Sequence, residues 1–395
     1  MSSYRGARPR AVRLPFKDGK IDTAVEAGVE VLRALPPVAD VAAAPFVGLT
    51  TDGVPLRGLF ELADDGLDGS AIVSAAGAYL AGLDPIERMA ASVAVDAPEW
   101  QLWINAFLTF PEHGLLLDRL PVSSREAALE VVAETVSAAG VRDIRTAMRL
   151  NAALGEVCRG YEDTLKEYMY WFTIFGEPSS DKPWGWQLMG HHLDVNCFLL
   201  GSQVVLTPTF IGTEIEGHEL FAEHIRRGTA LMESLRPAQR DRAVLYRSIL
   251  SADLPSHLSG PVDGRHRAGA GRDNLVLPYE GIRGDALSAG QRELLLQLTL
   301  PYLRALPERP RQARIAQIER HLDDTSFAWI GGWNEGEPFY YKIHNPVILI
   351  EYDNHAGVFF DNPEPELFHV HTIVRTPNGG DYGKDLLAQH YRRFH

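Results

Sequence analysis

The stretch WQLMGHHLDVNCFLLGSQVVLTPTF, residues 186–210, decides the fold class. From Trp184 onward apolar and polar residues alternate with the period of a strand, and Gly201-Ser202 supplies a tight turn, so the spacing predicts two strands joined there. Within the first strand stand two adjacent histidines, His191 and His192, followed by Asp194 and Asn196. Neighbours on a strand point to opposite faces. Parity therefore groups His192 with Asp194 and Asn196 on a polar face, and His191 with Leu193, Val195 and Cys197 on an apolar one. On this reading His192 serves a site while His191 is buried and hydrogen-bonded; a bulge at Gly190 would exchange the two roles.

Upstream of this stretch the periodicity is helical. IDTAVEAGVEVLRAL (21–35), PIERMAASVAV (85–95), SSREAALEVVAETVSAAG (123–140) and VRDIRTAMRLNAALGEV (141–157) repeat apolar residues at steps of three and four. Ser123 or Ser124 is placed to cap the third of these and Gly140 to end it. Downstream, helices are expected near 217–234, 237–250, 288–306 and 311–322. Four short strands follow, FAWIGGW, FYYKI, VILIEYD and FHVHTIVR, separated by turn-rich links. Short links pair strands antiparallel, so the fold class is α+β: a mainly antiparallel sheet built from two hairpin-rich blocks. The expected organisation is a basic segment at 1–20, a candidate for disorder, then a single domain over 21–395. That domain has a helical layer at 21–175 and a sheet-containing part at 184–395. Residues 255–274, rich in Gly, Pro and Arg, read as a long surface loop or lid.

Composition narrows the function. The chain has 395 residues, 45% hydrophobic and 23% charged, which is globular. Its 38 basic and 52 acidic residues give a net charge of -14, unfavourable for nucleic acid or an anionic membrane surface. Two cysteines, Cys158 and Cys197, provide no disulfide framework and no CxxC pair, as expected of a cytoplasmic protein. The N-terminal residues lack the apolar core of a secretory signal, and no apolar run is long enough to span a bilayer.

The histidines carry the chemistry. In FHVHTIV the spacing puts His369 and His371 on one strand face, able to take adjacent positions on a single ion. His192 is the expected third metal ligand, with His191 as its alternative. In VILIEYDN a buried apolar strand runs into Glu351, a candidate ligand, general base or partner of a histidine; its alternative is an ion pair with Arg375 or Lys342. Arg375 follows the two histidines at even spacing and could clamp a substrate carboxylate. His390 reads as a surface or packing residue, Asp381 as a helix cap, and His218 in EIEGHE as part of a helix start. The motifs of nucleotide-binding loops, zinc proteases and serine hydrolases are absent from the places that would give them meaning.

The blocks MGHHLDVN, TPTFIG, LPYEGI, FAWIGGW, YYKIHNPVILIEYDN, HVHTIVR and DYGKDLLAQHY resemble, in the same order, the bacterial family known as domain of unknown function 3500, over roughly residues 90–395. The resemblance implies that members share the double-histidine, EYDN and HxH strands. It implies no activity.

The residues therefore support an expectation of a metal-dependent enzyme with a mononuclear, histidine-rich site acting on a small molecule. Histidine ligation beside aromatic residues (Trp184, Trp186, Trp329, Trp333, Tyr340, Tyr341) suits copper or iron and an oxygen-dependent oxidoreductase. A zinc hydrolase with Glu351 as base and a non-enzymatic small-ligand-binding protein are the alternatives.

Overall fold

Residues 186–210 form more strands than two. The structure is a computed structural model that describes residues 44–106, 113–158, 161–215, 218–259, 264–360 and 362–394. Its first strands are β1 (Ser92–Val93), β2 (Leu115–Leu116), β3 (Tyr170–Phe175), β4 (Trp184–Gly190), β5 (Leu193–Leu200), β6 (Gln203–Val205) and β7 (Thr209–Thr213). The later ones are β8 (Val244–Tyr246), β9 (Ile282–Arg283), β10 (Ser326–Gly331), β11 (Phe339–His344), β12 (Leu349–Asn354) and β13 (Val370–Arg375). A turn does lie at Gly201-Ser202, but a second one lies at His191-His192, because Gly190 pairs directly with Leu193. The double histidine is thus a hairpin turn and not part of a strand, which removes the parity argument that separated the pair.

All these strands join one sheet in the order β1-β3-β4-β5-β7-β13-β12-β11-β10-β8, with β2 on β3, β6 on β5 and β9 on β10. Pairing is antiparallel except between β1 and β3 and between β8 and β10. The two hairpin-rich blocks meet at β7 and β13, where Thr213 lies opposite Val370 and Thr209 opposite Val374. This is the α+β class that the alternating pattern predicts.

Helices α1 (Ser70–Ala81), α2 (Pro85–Ala91), α3 (Val122–Thr135), α4 (Ala138–Val157) and α5 (His218–Ser234) are followed by α6 (Pro237–Ala243), α7 (Ala289–Thr299), α8 (Glu308–Arg320) and α9 (Lys384–Phe394). α1 lies where no helix is expected from the sequence, and β3 falls inside the expected helical layer at 21–175. The break between α3 and α4 falls at Val136-Ser137, not at Gly140, since Ser137 accepts the Gly140 N–H at 3.1 Å and caps the second helix. The expected helix at 21–35 and the basic segment at 1–20 lie outside the described residues.

Register divides the sheet into two unlike faces, because residues opposite one another share a face. On one face Val195, Tyr341, Ile350 and Tyr352 join the main hydrophobic core, together with Phe221 and Leu231 of α5. The other face carries Gln187, Asn196, Lys342, Glu351, Asp353, His371 and Arg375, all buried. Burying such groups costs several kcal/mol each unless they are paired. Residues 264–273 pair three of them, Glu351, Asp353 and Arg375: Arg265 donates to Asp353 Oδ2 at 2.9 Å and to the Asn354 carbonyl at 2.7 Å. The N–H groups of Arg267 and Ala268 donate to Glu351 at 3.0 and 2.8 Å. Arg375 donates to the Ala268 carbonyl at 2.8 Å and pairs with Asp273.

Within the segment 255–274 expected to be a surface loop or lid, residues 264–273 are therefore a largely buried strap, while Ser256 and His257 are exposed. Its arginines and backbone amides answer carboxylates on β12, a complementarity that its glycine-rich composition conceals. An Arg265→Ala change should cost about 3–5 kcal/mol in denaturant unfolding, because it leaves Asp353 buried and unpaired. Removing the exposed Arg226, paired with Glu223 on α5, should leave the unfolding midpoint nearly unchanged, because water screens that pair.

Candidate metal centre

His192 occupies the second turn position between β4 and β5 with φ of 63°, in the left-handed region that glycine usually fills and that histidine enters more readily than most residues. Its carbonyl accepts the Gly212 N–H of β7 at 2.8 Å. This backbone brings both imidazoles of the pair to one side, where they stack with centroids 3.8 Å apart. His191 Nδ1 is 2.7 Å from Asn151 Oδ1 on α4, and burial pushes its pKa down to about 3. His191 is buried and hydrogen-bonded as expected, but as the backing of His192 rather than as the opposite face of a strand.

On β13, His371 lies opposite Gly212, and His369 stands just before the strand. The three imidazoles converge. His369 Nε2 is 3.0 Å from His371 Nε2, which is 3.2 Å from His192 Nε2, and the ligand atoms of all three lie within 4.8 Å of one another. Two imidazoles on one tetrahedral ion, each bound at about 2.0–2.1 Å, have nitrogens roughly 3.4 Å apart. A neutral imidazole nitrogen offers one N–H or one lone pair. Three nitrogens at this spacing cannot all satisfy each other with protons, whereas a cation accepts all three lone pairs. Burial, followed by the neighbouring imidazoles, holds His192, His369 and His371 well below the usual histidine pKa, in the neutral form that binds metals. Three buried histidines thus lie close enough to hold a metal ion.

The surroundings fix these rings. Glu214, at the end of β7, has its Oε1 4.0 Å from His369 Nδ1 and accepts the N–H groups of Val358, Phe359 and Phe360 at 2.6–3.2 Å. At that distance the carboxylate lies beside the far edge of the imidazole without hydrogen-bonding it. His355 stacks on His371 with centroids 4.6 Å apart, Phe210 meets the same ring at 5.1 Å, and His266 of the strap lies 6.0 Å away. A Cβ on Gly212 would stand 2.9 Å from the Val370 carbonyl, 3.0 Å from His371 Cδ2 and 3.2 Å from His192 Cδ2, so only glycine lets the two imidazoles approach across β7.

Of the residues expected at the site, His192, His369 and His371 come together and the others take different partners. Glu351 accepts the Tyr340 hydroxyl at 2.6 Å and the two strap amides. It pairs with neither Arg375 nor Lys342, for Lys342 meets Glu280. Arg375 is occupied by Asp381 at 2.7 Å, by Asp273 and by the Ala268 carbonyl, with no edge of its fork left to clamp a substrate. Asp381 serves that pair and the Thr376 N–H rather than capping α9. Asp194 faces Met189 and Phe210, and burial raises its carboxyl well above the usual range. Asn196 bonds Gln187 and the Pro208 carbonyl. Trp184, Trp186, Trp329 and Tyr341 belong to the core on the opposite face, with Trp333 packed against it. His390 packs against Phe394 at 4.9 Å.

Sequence reasoning gave little weight to three neighbours of the site. His355 is two residues beyond Asp353 in the acidic strand, His266 is flanked by the arginines of the strap, and Glu214 opens the acidic run that was read as a helix start.

His192→Asn, which keeps a residue tolerant of the left-handed turn, should preserve the fold by circular dichroism and abolish metal retention measured by elemental analysis. His191→Ala should retain the metal while losing about 1–3 kcal/mol of stability, since it strands the Asn151 carbonyl oxygen. Gly212→Val should lower metal content in a folded protein by driving the two rings apart.

Among the described residues, no helix is long and apolar enough to cross a membrane. No curated protein and no solved structure matches the chain. The family model described as a protein of unknown function, DUF3500, matches residues 65–384, beginning before the first resembling block and ending at the first residue of α9. That span contains the turn histidines, the acidic strand and the HxH strand. With most of its length matched, the chain belongs to the DUF3500 family of proteins of unknown function.

Proposed function

We propose that this protein is a metal-dependent enzyme whose mononuclear site is His192, His369 and His371, acting on a small molecule by oxygen-dependent copper or iron chemistry. The observation that carries this reading is the convergence of three buried, neutral imidazole nitrogens at 3.0 and 3.2 Å. Three protein ligands leave a coordination position for a reactant, unlike the closed four-ligand sets of structural sites. A bound copper or iron ion would supply the redox chemistry.

The protein's own residues set the environment of that ion. The donor set is uncharged, and the adjacent carboxylate Asp353 is neutralised by Arg265, so burial favours the less highly charged oxidation state of an ion held there. Stacking by His191 and His355 holds the ligands in place, and the buried strap keeps bulk water away.

A zinc hydrolase would need a carboxylate free to act as base, and the engagement of Glu351 with Tyr340 and the strap argues against that role. Elemental analysis of protein purified without a histidine tag should find about one copper or iron ion per chain. Zinc would favour hydrolysis instead, and the absence of any transition metal would overturn the proposal. The His369→Ala, His371→Ala double variant should lose the metal while remaining folded.

A further inference from the structure

On the opposite side of the sheet from the imidazoles, a cavity of about 120 Å³ lies between the strands and the helices. Val195, Ile211 and Val374 form its floor, and Ile144, Leu220 and Phe221 its apolar roof. The space is several times that needed by one water molecule.

Arg314 of α8 reaches the same cavity. Its guanidinium donates to Gln317 Oε1 at 2.9 Å, to the Val347 carbonyl at 2.6 Å and to Thr376 Oγ1 at 3.0 Å, all uncharged acceptors. The other arginine on the lining, Arg304, is matched by Asp143. Asp381, the carboxylate that acts on Arg314 from a distance, is itself bonded to Arg375. Among the described residues Arg314 forms no ion pair, and burial pushes its pKa down to about 10. Glu61, Asp65 and Asp385 also line the cavity. Glu61 is exposed, and Asp65 and Asp385 are half-buried, as Arg314 itself is; Asp65 is bonded to Gln203 and Asp385 to Gln389, and neither pairs with Arg314.

An apolar chamber with one cation lacking a direct counter-ion specifies a ligand that is apolar over most of its surface and carries a single negative charge. The planar fork of arginine matches a carboxylate in particular. We propose that this cavity is a binding site, separate from the histidine centre, for a small amphipathic monocarboxylate, with the carboxylate on Arg314 and the apolar body against Ile211 and Phe221.

Calorimetric titration of the full chain with octanoate, 1-octanol and inorganic phosphate tests this. Octanoate should bind, 1-octanol should bind about tenfold or more weakly, and phosphate should not compete, as expected when a charged hydrogen bond and an apolar body are both required. Arg314→Gln should reduce octanoate to the level of 1-octanol, and Ile211→Phe, which fills the chamber, should weaken both. Metal content should be unchanged in Arg314→Gln, whose site lies on α8 away from β7, so a failure here is distinguishable from a failure of the metal reading. Equal binding of octanoate and octanol, no octanoate binding, or octanoate affinity unaffected by Ile211→Phe would overturn the proposal. If Arg314→Gln does not fold, Arg314→Lys, which keeps the charge but not the fork, should still weaken octanoate. Should neither fold, the comparison of octanoate with octanol in the unaltered protein decides.

Discussion

The antiparallel pairing of β7 with β13 is the contact on which the rest of the arrangement depends. It joins the two halves of the sheet through strands more than 150 residues apart in sequence, and its register sets His371 opposite Gly212. The Gly212 N–H in turn reaches the carbonyl of His192, so one strand carries the position of the turn to the position of the HxH strand. A slip of one residue would turn His371 to the apolar face and bring Thr372 into its place. The site is therefore a product of long-range register, and the short spacing of His369 and His371 supplies only two of its three nitrogens.

A second constraint follows from the polar face. A sheet whose buried face carries carboxylates, guanidiniums and imidazoles holds only if each charge is answered. The strap meets the charges of β12 and β13 with Arg265, Asp273 and its own amides, while the imidazoles avoid the penalty by remaining neutral. The two solutions are chemically different. Ion pairs close on themselves and leave nothing to react, whereas neutral lone pairs aimed at one point remain available to a cation. This separates the histidines, as a functional group of residues, from Glu351 and Arg375, which looked equally functional in sequence.

Much of the architecture was legible because it rests on local rules. Alternation and turn residues gave the two strand blocks and their antiparallel pairing, and apolar spacing gave most of the described helices. The HxH pair followed from strand geometry alone. What local rules missed were answers supplied from far away. The two central positions of the turn, His191 and His192, carry neither the glycine nor the asparagine that marks a two-residue turn, so the stretch reads as strand, and the left-handed residue is a histidine. His192 was selected on an argument that the structure removes, and it enters the cluster for a different reason. Glu351 shows itself as a buried charge in need of a partner, but besides the Tyr340 hydroxyl its partners are amides of the strap, 83 and 84 residues away, which carry no side-chain signature. Composition marked the strap as exposed because arginine usually is. Here the carboxylates that bury it lie on another strand.

The two faces divide the chemistry between them while sharing one backbone. Along β7 and β13, Ile211 and Thr372 line the apolar cavity, and their chain neighbours Gly212 and His371 belong to the histidine centre. Side chains alternate across a strand, so a tilt or shift of either strand is felt on both faces at once. The close packing at Gly212, with less than 3.5 Å to both imidazoles for any added Cβ, leaves the centre little slack to absorb such a movement. Whatever fills the apolar side therefore bears on the same hydrogen-bond ladder that aims the three nitrogens, and the geometry of the centre depends on how well that opposite side is packed.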